Sequence, residues 1–471
     1  MKKLLAWCLA LLLLLPGAGL GEEAEDALYP IRDGEKWGYM NRAGETVIPP
    51  QWRYAERFHD GVAVVSDGPD ADLPRDELCG LIDTSGRYIL EPKYQAMGFN
   101  RFLEPGDGGK MAYYNPGTGY LSPFCFGELF WGWTGELLIY ALEEGPEAPY
   151  GFLDPATGEA VTPPIFDGLY DDVGCSEGYI LAAYERGRQG DGRVWGPDYH
   201  LYTRDMEEIL FPEGIALESS VHDGVLVVRK DLTDEEADAK GSGWGVAYGL
   251  ARADGKVILP PQFDYIASPS ATGCGRVSFL DHDLVGVLDL EGNVIVPAKY
   301  DIDTGGAIPQ FYYRNGYAVF QDSATDREII LDTAGREVYT IPDCEEEGSH
   351  VLCNVMPGGL FWHYRTGPAG KEAYTLMKIE NGQAVCLSDT EYEDVDDYFA
   401  PCQEDAEDGF LDGLHPVKLG GQWGYIDRQG KMAVPPQWDH ADAFCHGLAL
   451  VEKNGKLAYI NLAGETVWRE E

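Results

Sequence analysis

Residues 36–52 read Lys36-Trp37-Gly38-Tyr39-Met40-Asn41-Arg42-Ala43-Gly44-Glu45-Thr46-Val47-Ile48-Pro49-Pro50-Gln51-Trp52. Two short runs of aromatic, aliphatic and β-branched residues enclose a polar step that ends in glycine, which reads as two strands joined by a turn. Near the other end the string returns as Gln422-Trp423-Gly424-Tyr425-Ile426-Asp427, then Gln429-Gly430-Lys431, then Val434-Pro435-Pro436-Gln437-Trp438-Asp439. The match runs on in both copies. Phe58 is followed by Gly61-Val62-Ala63-Val64-Val65, and Phe444 by Gly447-Leu448-Ala449-Leu450-Val451.

Weaker copies fill the interval. Gly80 leads to Gly86 and Pro92-Lys93-Tyr94, and Gly151 leads to Gly158 and Pro163-Pro164-Ile165-Phe166. Trp244-Gly245 leads to Gly255 and Pro260-Pro261-Gln262-Phe263, and Gly286 leads to Gly292 and Pro297. Asp332 leads to Gly335, and a last copy, Ala458-Tyr459-Ile460-Asn461, leads to Gly464. Adjacent clear copies start about 35 to 45 residues apart, a spacing typical of β-repeat arrays.

Each residue type has a physical reason for its place. Asn41, Asp83, Asp289, Asp332, Asp427 and Asn461 all stand three residues before a glycine. Asp or Asn there can accept hydrogen bonds from its own downstream backbone, and the glycine supplies the positive φ of a type I turn with a bulge. The recurring acid is therefore read as structural, not catalytic. The glycine after tryptophan predicts close approach of another backbone or ring, with Trp37, Trp244 and Trp423 covering the gap. The proline pair cannot donate ladder bonds and predicts a strand that starts or kinks there. Strands apolar on both faces must be sandwiched. The expected fold is all-β, a tandem array of three-stranded meanders. A propeller-like ring is favoured over an open superhelical array, although nine or ten units is many for one ring.

The pattern resembles the WG-containing repeat family of bacterial proteins, whose motif runs Lys-Trp-Gly-Tyr-Ile-Asp, turn, Gly-Lys, Val-Ile-Pro-Pro, aromatic-Asp. The resemblance implies a repeat architecture and an assumed binding role. It implies no catalytic residue. The structural motif residues are Trp37, Gly38, Gly44, Gly80, Gly86, Gly151, Trp244, Gly245, Gly286, Gly292, Gly335, Trp423, Gly424, Gly430 and Gly464. The chain divides into a secretory signal (1–21), repeats (22–94), degenerate repeats (95–222), repeats (223–338), a degenerate acidic segment (339–412) and C-terminal repeats (413–471).

The signal reading rests on Lys2-Lys3, the apolar run Leu4 to Leu15 and the small residues of Pro16-Gly17-Ala18-Gly19. The run is shorter than the roughly 20 residues of a membrane span, with an uncleaved anchor as the alternative. The expected place is secreted or cell-envelope associated, with no transmembrane span after signal removal. The formal charge of −45, from 35 basic and 80 acidic residues, opposes nucleic acid and anionic lipid and suits basic partners or divalent cations. Acidic runs at Asp231 to Glu236, Glu345 to Glu347, Asp394 to Asp397 and Glu404 to Asp408 could associate weakly with Ca2+, but none has the spaced calcium-loop pattern. Solvated loops are the expected role of these runs.

Ten cysteines, irregularly spaced and without C-x-x-C, form neither a disulfide framework nor a zinc motif. The pairs Cys344 with Cys353 and Cys386 with Cys402 are left open. The aromatics Phe124, Phe126, Phe130, Trp131, Trp133 and Tyr140 could make a glycan-stacking strip, although a repeat core is the expected reading. Neither G-x-S-x-G, H-E-x-x-H nor a P-loop occurs, and His440 and His446 are too weak a pair for a metal site. No cofactor and no metal are expected. The expectation is a non-catalytic binding scaffold with a protein or cell-wall glycan ligand. The alternative is a propeller-like carbohydrate-active enzyme using paired carboxylates.

Overall fold

The computed structural model describes residues 27–68, 78–96, 101–105, 109–131, 136–145, 148–166, 173–184, 198–241, 245–269, 274–300, 313–322, 327–340, 349–366, 370–388, 390–395 and 409–471. The signal segment, Trp133, Trp244, Cys344, Cys402 and the acidic residues 345–347, 396–397 and 404–408 lie outside them. Among the described residues the regular elements are antiparallel strands, apart from a seven-residue helix, Asp234–Lys240, and a short 3-10 turn, Leu411–Gly413. No helix of the described residues is long and apolar enough to cross a membrane.

Among the described residues the strands form ten sheets, one of them seven-stranded. In that sheet Tyr88–Ala96 closes one meander and opens the next, pairing first with Cys79–Asp83 and then with Arg101–Leu103. Eleven successive units result, numbered here 1 to 11: 29–52, 54–96, 95–121, 128–166, 174–209, 216–263, 265–300, 317–340, 349–392, 394–438 and 440–469. The segments read as degenerate contribute units of the same kind.

The three-strand expectation is incomplete. In units 2, 6, 7, 10 and 11 a two-residue strand (Tyr54–Ala55, Ala216–Leu217, Tyr265–Ile266, Asp394–Val395, His440–Ala441) pairs with the first long strand and makes four. These pieces are too short for any periodicity to reveal.

Alternation along a strand sends neighbouring side chains to opposite faces, and here the faces belong to different interfaces. In unit 6, Val225 and Val227 pack with Ile266, Val277 and Phe279 of unit 7. Leu226 and Val228 pack with Leu181 and Leu201 of unit 5. The same holds from unit to unit, so the core is a series of inter-unit layers and not one central cluster.

The last unit packs on the first. Leu448 and Tyr459 share a buried cluster with Tyr29, Ile31 and Met40. Tyr39 donates to the Glu56 carbonyl of unit 2 (2.7 Å) and Tyr425 to the Asp442 carbonyl of unit 11 (2.7 Å). From the same repeat position Tyr459 donates to the Pro30 carbonyl of unit 1 (3.1 Å). The acceptor there, Pro30, belongs to the first long strand of unit 1. Arg32 and Glu470 add a two-bond ion pair across this seam (2.8 and 3.1 Å). Contact between the ends belongs to the ring arrangement; an open array has none.

Candidate functional site

The recurring residues are used by the architecture. In the bends at Asn41, Asp83, Asp289, Asp332, Asp427 and Asn461 the first residue's Oδ1 accepts from backbone N–H groups two and four residues on, as in Asn41 to Ala43 and Glu45 (both 3.0 Å) and Asp427 to Gln429 and Lys431 (3.0 and 2.9 Å). Burial opposes ionisation of Asp83, but hydrogen bonds from Ser85 and Arg87 outweigh it and bring its carboxyl down to about 2. The bend glycine has a second task that spacing alone did not show. A Cβ on Gly86 would press on Ile48 of unit 1, on Gly335 on Val296 of unit 7, on Gly464 on Val434 of unit 10, and on Gly44 on Val467 of unit 11. Each bend therefore seats against the preceding unit, across the seam as elsewhere.

The strand glycine answers to the proline pair. Trp423 pairs with Trp438 and Tyr425 with Val434, so one residue on the second long strand faces three on the third. The extra residues bulge over Gly424, where a Cβ would lie 2.6 Å from the Val434 carbonyl oxygen and 2.7 Å from the Pro436 nitrogen. Gly38, Gly80, Gly151 and Gly286 meet the third-strand backbone in the same way. The close approach is thus from the unit's own third strand, and the prolines kink that strand instead of starting it. In unit 6 the glycine under the bulge is Gly249, not Gly245. Gly245 sits in the loop before Val246–Arg252, and Tyr248 takes the place read for Trp244. Ala458 and Ile329 occupy the glycine position in units 11 and 8, whose third strands lack proline and pair there without a bulge.

Unit 5 breaks the rule and opens a cleft. His200 stands at the position that Gly38, Gly80, Gly151, Gly249, Gly286 and Gly424 take in their units, three residues before the bend at Thr203. The third strand pairs only through Glu208 and Ile209 and then leaves the sheet through Leu210, Phe211 and Pro212. Strand Asp198–Thr203 is paired along its whole length with Tyr179–Tyr184, and on its other side Leu201 and Tyr202 pair with Ile209 and Glu208. The vacated space is a cavity of about 410 Å³ between units 5 and 6, whose lining includes Asp198, His200, Glu208, Leu210, Ile215 and Asp231. His200 Nδ1 is 2.6 Å from Glu208 Oε1, and its Nε2 is 3.8 Å from Asp198 Oδ2. Leu210 is 75 % exposed, the most of any large hydrophobic among the described residues. Lys230 is held by Glu236 (2.8 Å), and buried Arg229 by Glu218 and Asp231 (both 2.7 Å). No motif search finds this site; its signal is a histidine and Leu210-Phe211 where the repeat calls for glycine and two prolines.

Other candidates resolve differently. Ligand atoms of Asp264, Asp281 and His282 lie within 4.8 Å of one another, but Lys240 ion-pairs with the buried Asp264, whose Oδ2 also accepts from His282 N (2.8 Å). The ammonium takes the place a cation would. In the first acidic run Glu236 caps its helix and binds Lys230. Cys386 is a free thiol. Of the aromatic stretch, Phe126 and Tyr140 are buried in the layer between units 3 and 4, Phe124 stacks on Tyr94, and Phe130 is exposed, so these four described side chains do not line up as one strip.

Four segments, residues 37–68, 80–101, 248–278 and 423–456, match the family model described as "WG containing repeat". The third match begins at Tyr248-Gly249, as the bulge geometry requires. No curated protein matches the chain. Among solved structures, one titled "Crystal structure of the eukaryotic initiation factor" is similar at 13 % identity over 83 % of this chain and 93 % of that chain, with a TM-score of 0.38. Another, "Kluyveromyces lactis Hsv2", is similar at 11 % identity over 42 % of this chain, with a TM-score of 0.23, and the present chain spans 61 % of its length.

Proposed function

Because this chain belongs to the WG containing repeat family, we propose that it is an exported, non-catalytic scaffold that binds a ligand outside the cell or at its surface. The observation that carries this reading is how the repeated side chains are spent. Turn acids cap their own backbone, tyrosines reach the next unit, and glycines make room for bulges or neighbouring units. None is left as a reactive group recurring around the array, whereas a large closed surface with a cleft at a broken repeat suits recognition. Export is supported by Lys2-Lys3 and the apolar run that follows. The acidic surface favours a basic partner over nucleic acid. The test is a pull-down and glycan array with residues 22–471; no retained ligand across a wide range of salt and calcium counts against the reading.

A further inference from the structure

We propose that the cavity between units 5 and 6 binds a neutral saccharide ring, with its hydroxyl edge toward Glu208 and Lys230 and its carbon face on Leu210 and Phe211. This rests on the scaffold reading and gives it a site and a ligand class.

The cavity, of about 410 Å³, falls within the range of about 300–1,000 Å³ in which small-molecule sites lie. Its wall carries two kinds of surface. Leu210, Phe211 and Ile215 give it carbon, and Leu210, 75 % exposed, gains from being covered. His200, Glu208, Lys230 and Asp231 give it polar groups. Their charges are matched by the chain itself: His200 Nδ1 lies 2.6 Å from Glu208 Oε1, Lys230 Nζ 2.8 Å from Glu236, and Arg229 2.7 Å from Asp231. This matching selects the ligand. A carboxylate already held by a donor gains little from a further cation, and an anion meets like charge at Glu208 and Asp231. A paired carboxylate still has lone pairs, about four acceptor sites in all, and an ammonium still has N–H donors beyond the one it has used. Hydroxyl groups both donate and accept, and they enter without the cost of desolvating a charge. The pairs also fix the polar groups before any ligand arrives, which lowers the entropy lost on binding. A sugar ring carries its hydroxyls around the edge and C–H groups on its faces, so it meets both kinds of wall. Glu208 and His200 are 41 % and 34 % exposed, so the polar side is reached from solvent.

The probes are the methyl glycosides of glucose, galactose, mannose and N-acetylglucosamine, each titrated into the full chain by ligand-observed NMR, with methyl glucuronide as the charged counterpart. Saturable binding of at least one neutral glycoside is expected, tenfold or more tighter than that of the glucuronide. Glu208→Ala removes the hydrogen-bonding edge and Leu210→Ser the carbon face. Both side chains are exposed enough that the melting temperature should stay unchanged, and each variant should weaken the bound glycoside fivefold or more. Absence of saturation by all four glycosides, equal affinity of the glucuronide, or unchanged affinity in either variant overturns the proposal. A ligand found by pull-down or glycan array that both variants retain as the wild type does refutes this cavity while leaving the scaffold reading intact.

Discussion

Gly424 offers a direct measure of what holds a unit together. A methyl group there comes to 2.6 Å from the Val434 oxygen, 2.7 Å from the Pro436 nitrogen and 2.9 Å from the Pro435 carbonyl carbon, where ordinary contact begins at 3.4 Å. All three are backbone atoms, held by the Trp423–Trp438 and Tyr425–Val434 pairs on either side, so no side chain can swing aside. Gly424 does not have a positive φ; the substitution to alanine would by itself stabilise by about 0.4–1 kcal/mol through the unfolded chain. Overpacking opposes this with about 1–3 kcal/mol. The net expectation for Gly424→Ala is a loss of about 1–2 kcal/mol, and for the branched Gly424→Val about 3 kcal/mol. Urea unfolding followed by tryptophan fluorescence reads the change, since Trp423 and Trp438 flank the bulge. The matched control is Ala458→Gly in unit 11, where no bulge exists; it should lose about 0.5–1 kcal/mol. A Gly424→Ala midpoint at or above wild type would refute the reasoning.

Three further expectations concern the seam, one turn and one buried pair. Tyr459→Phe and Tyr425→Phe each remove one inter-unit hydrogen bond, so each should cost about 1 kcal/mol; a thermally silent Tyr459→Phe beside a destabilised Tyr425→Phe would mean the ends do not meet. The Asp83 carboxyl titrates at about 2 when folded, below its unfolded value of about 3.9. Its contribution is therefore complete above about pH 4 and lost as pH falls through 2, and an NMR titration placing it near 4 would contradict the capped turn. Asp264→Ala leaves Lys240 without its buried partner and should cost about 3 kcal/mol by denaturant titration; a loss below about 1 kcal/mol would show that the pair is not held as described.

The repeat, its β-class and its turn chemistry were legible because each is a local matter. A side-chain-capped bend declares itself in four residues, as Asp427 to Gly430 do, and strands apolar on both faces announce that they must be sandwiched. Decayed copies hid their units because pairing tolerates side chains that blur a motif: Ile329 and Ala458 hold ladder positions as well as glycine does where nothing bulges over them. Unit 6 was misaligned by four residues because Trp244-Gly245 copies the letters of the motif, whereas the place of the glycine is decided by which backbone lies under Pro260 and Pro261.

Sequence alone determined that this chain is a β-repeat array whose conserved-looking acids and glycines are structural, since hydrogen-bond capping and steric clearance act over a few residues. Only the tertiary structure decided that Tyr459 finds Pro30 and Gly44 finds Val467, contacts that span nearly the whole chain and exist because small rotations between units add up to a return. Only it showed that replacing glycine by His200 and the proline pair by Leu210-Phe211 coincides with a cavity between units 5 and 6, because what surrounds a shortened strand depends on what the next unit places beside it.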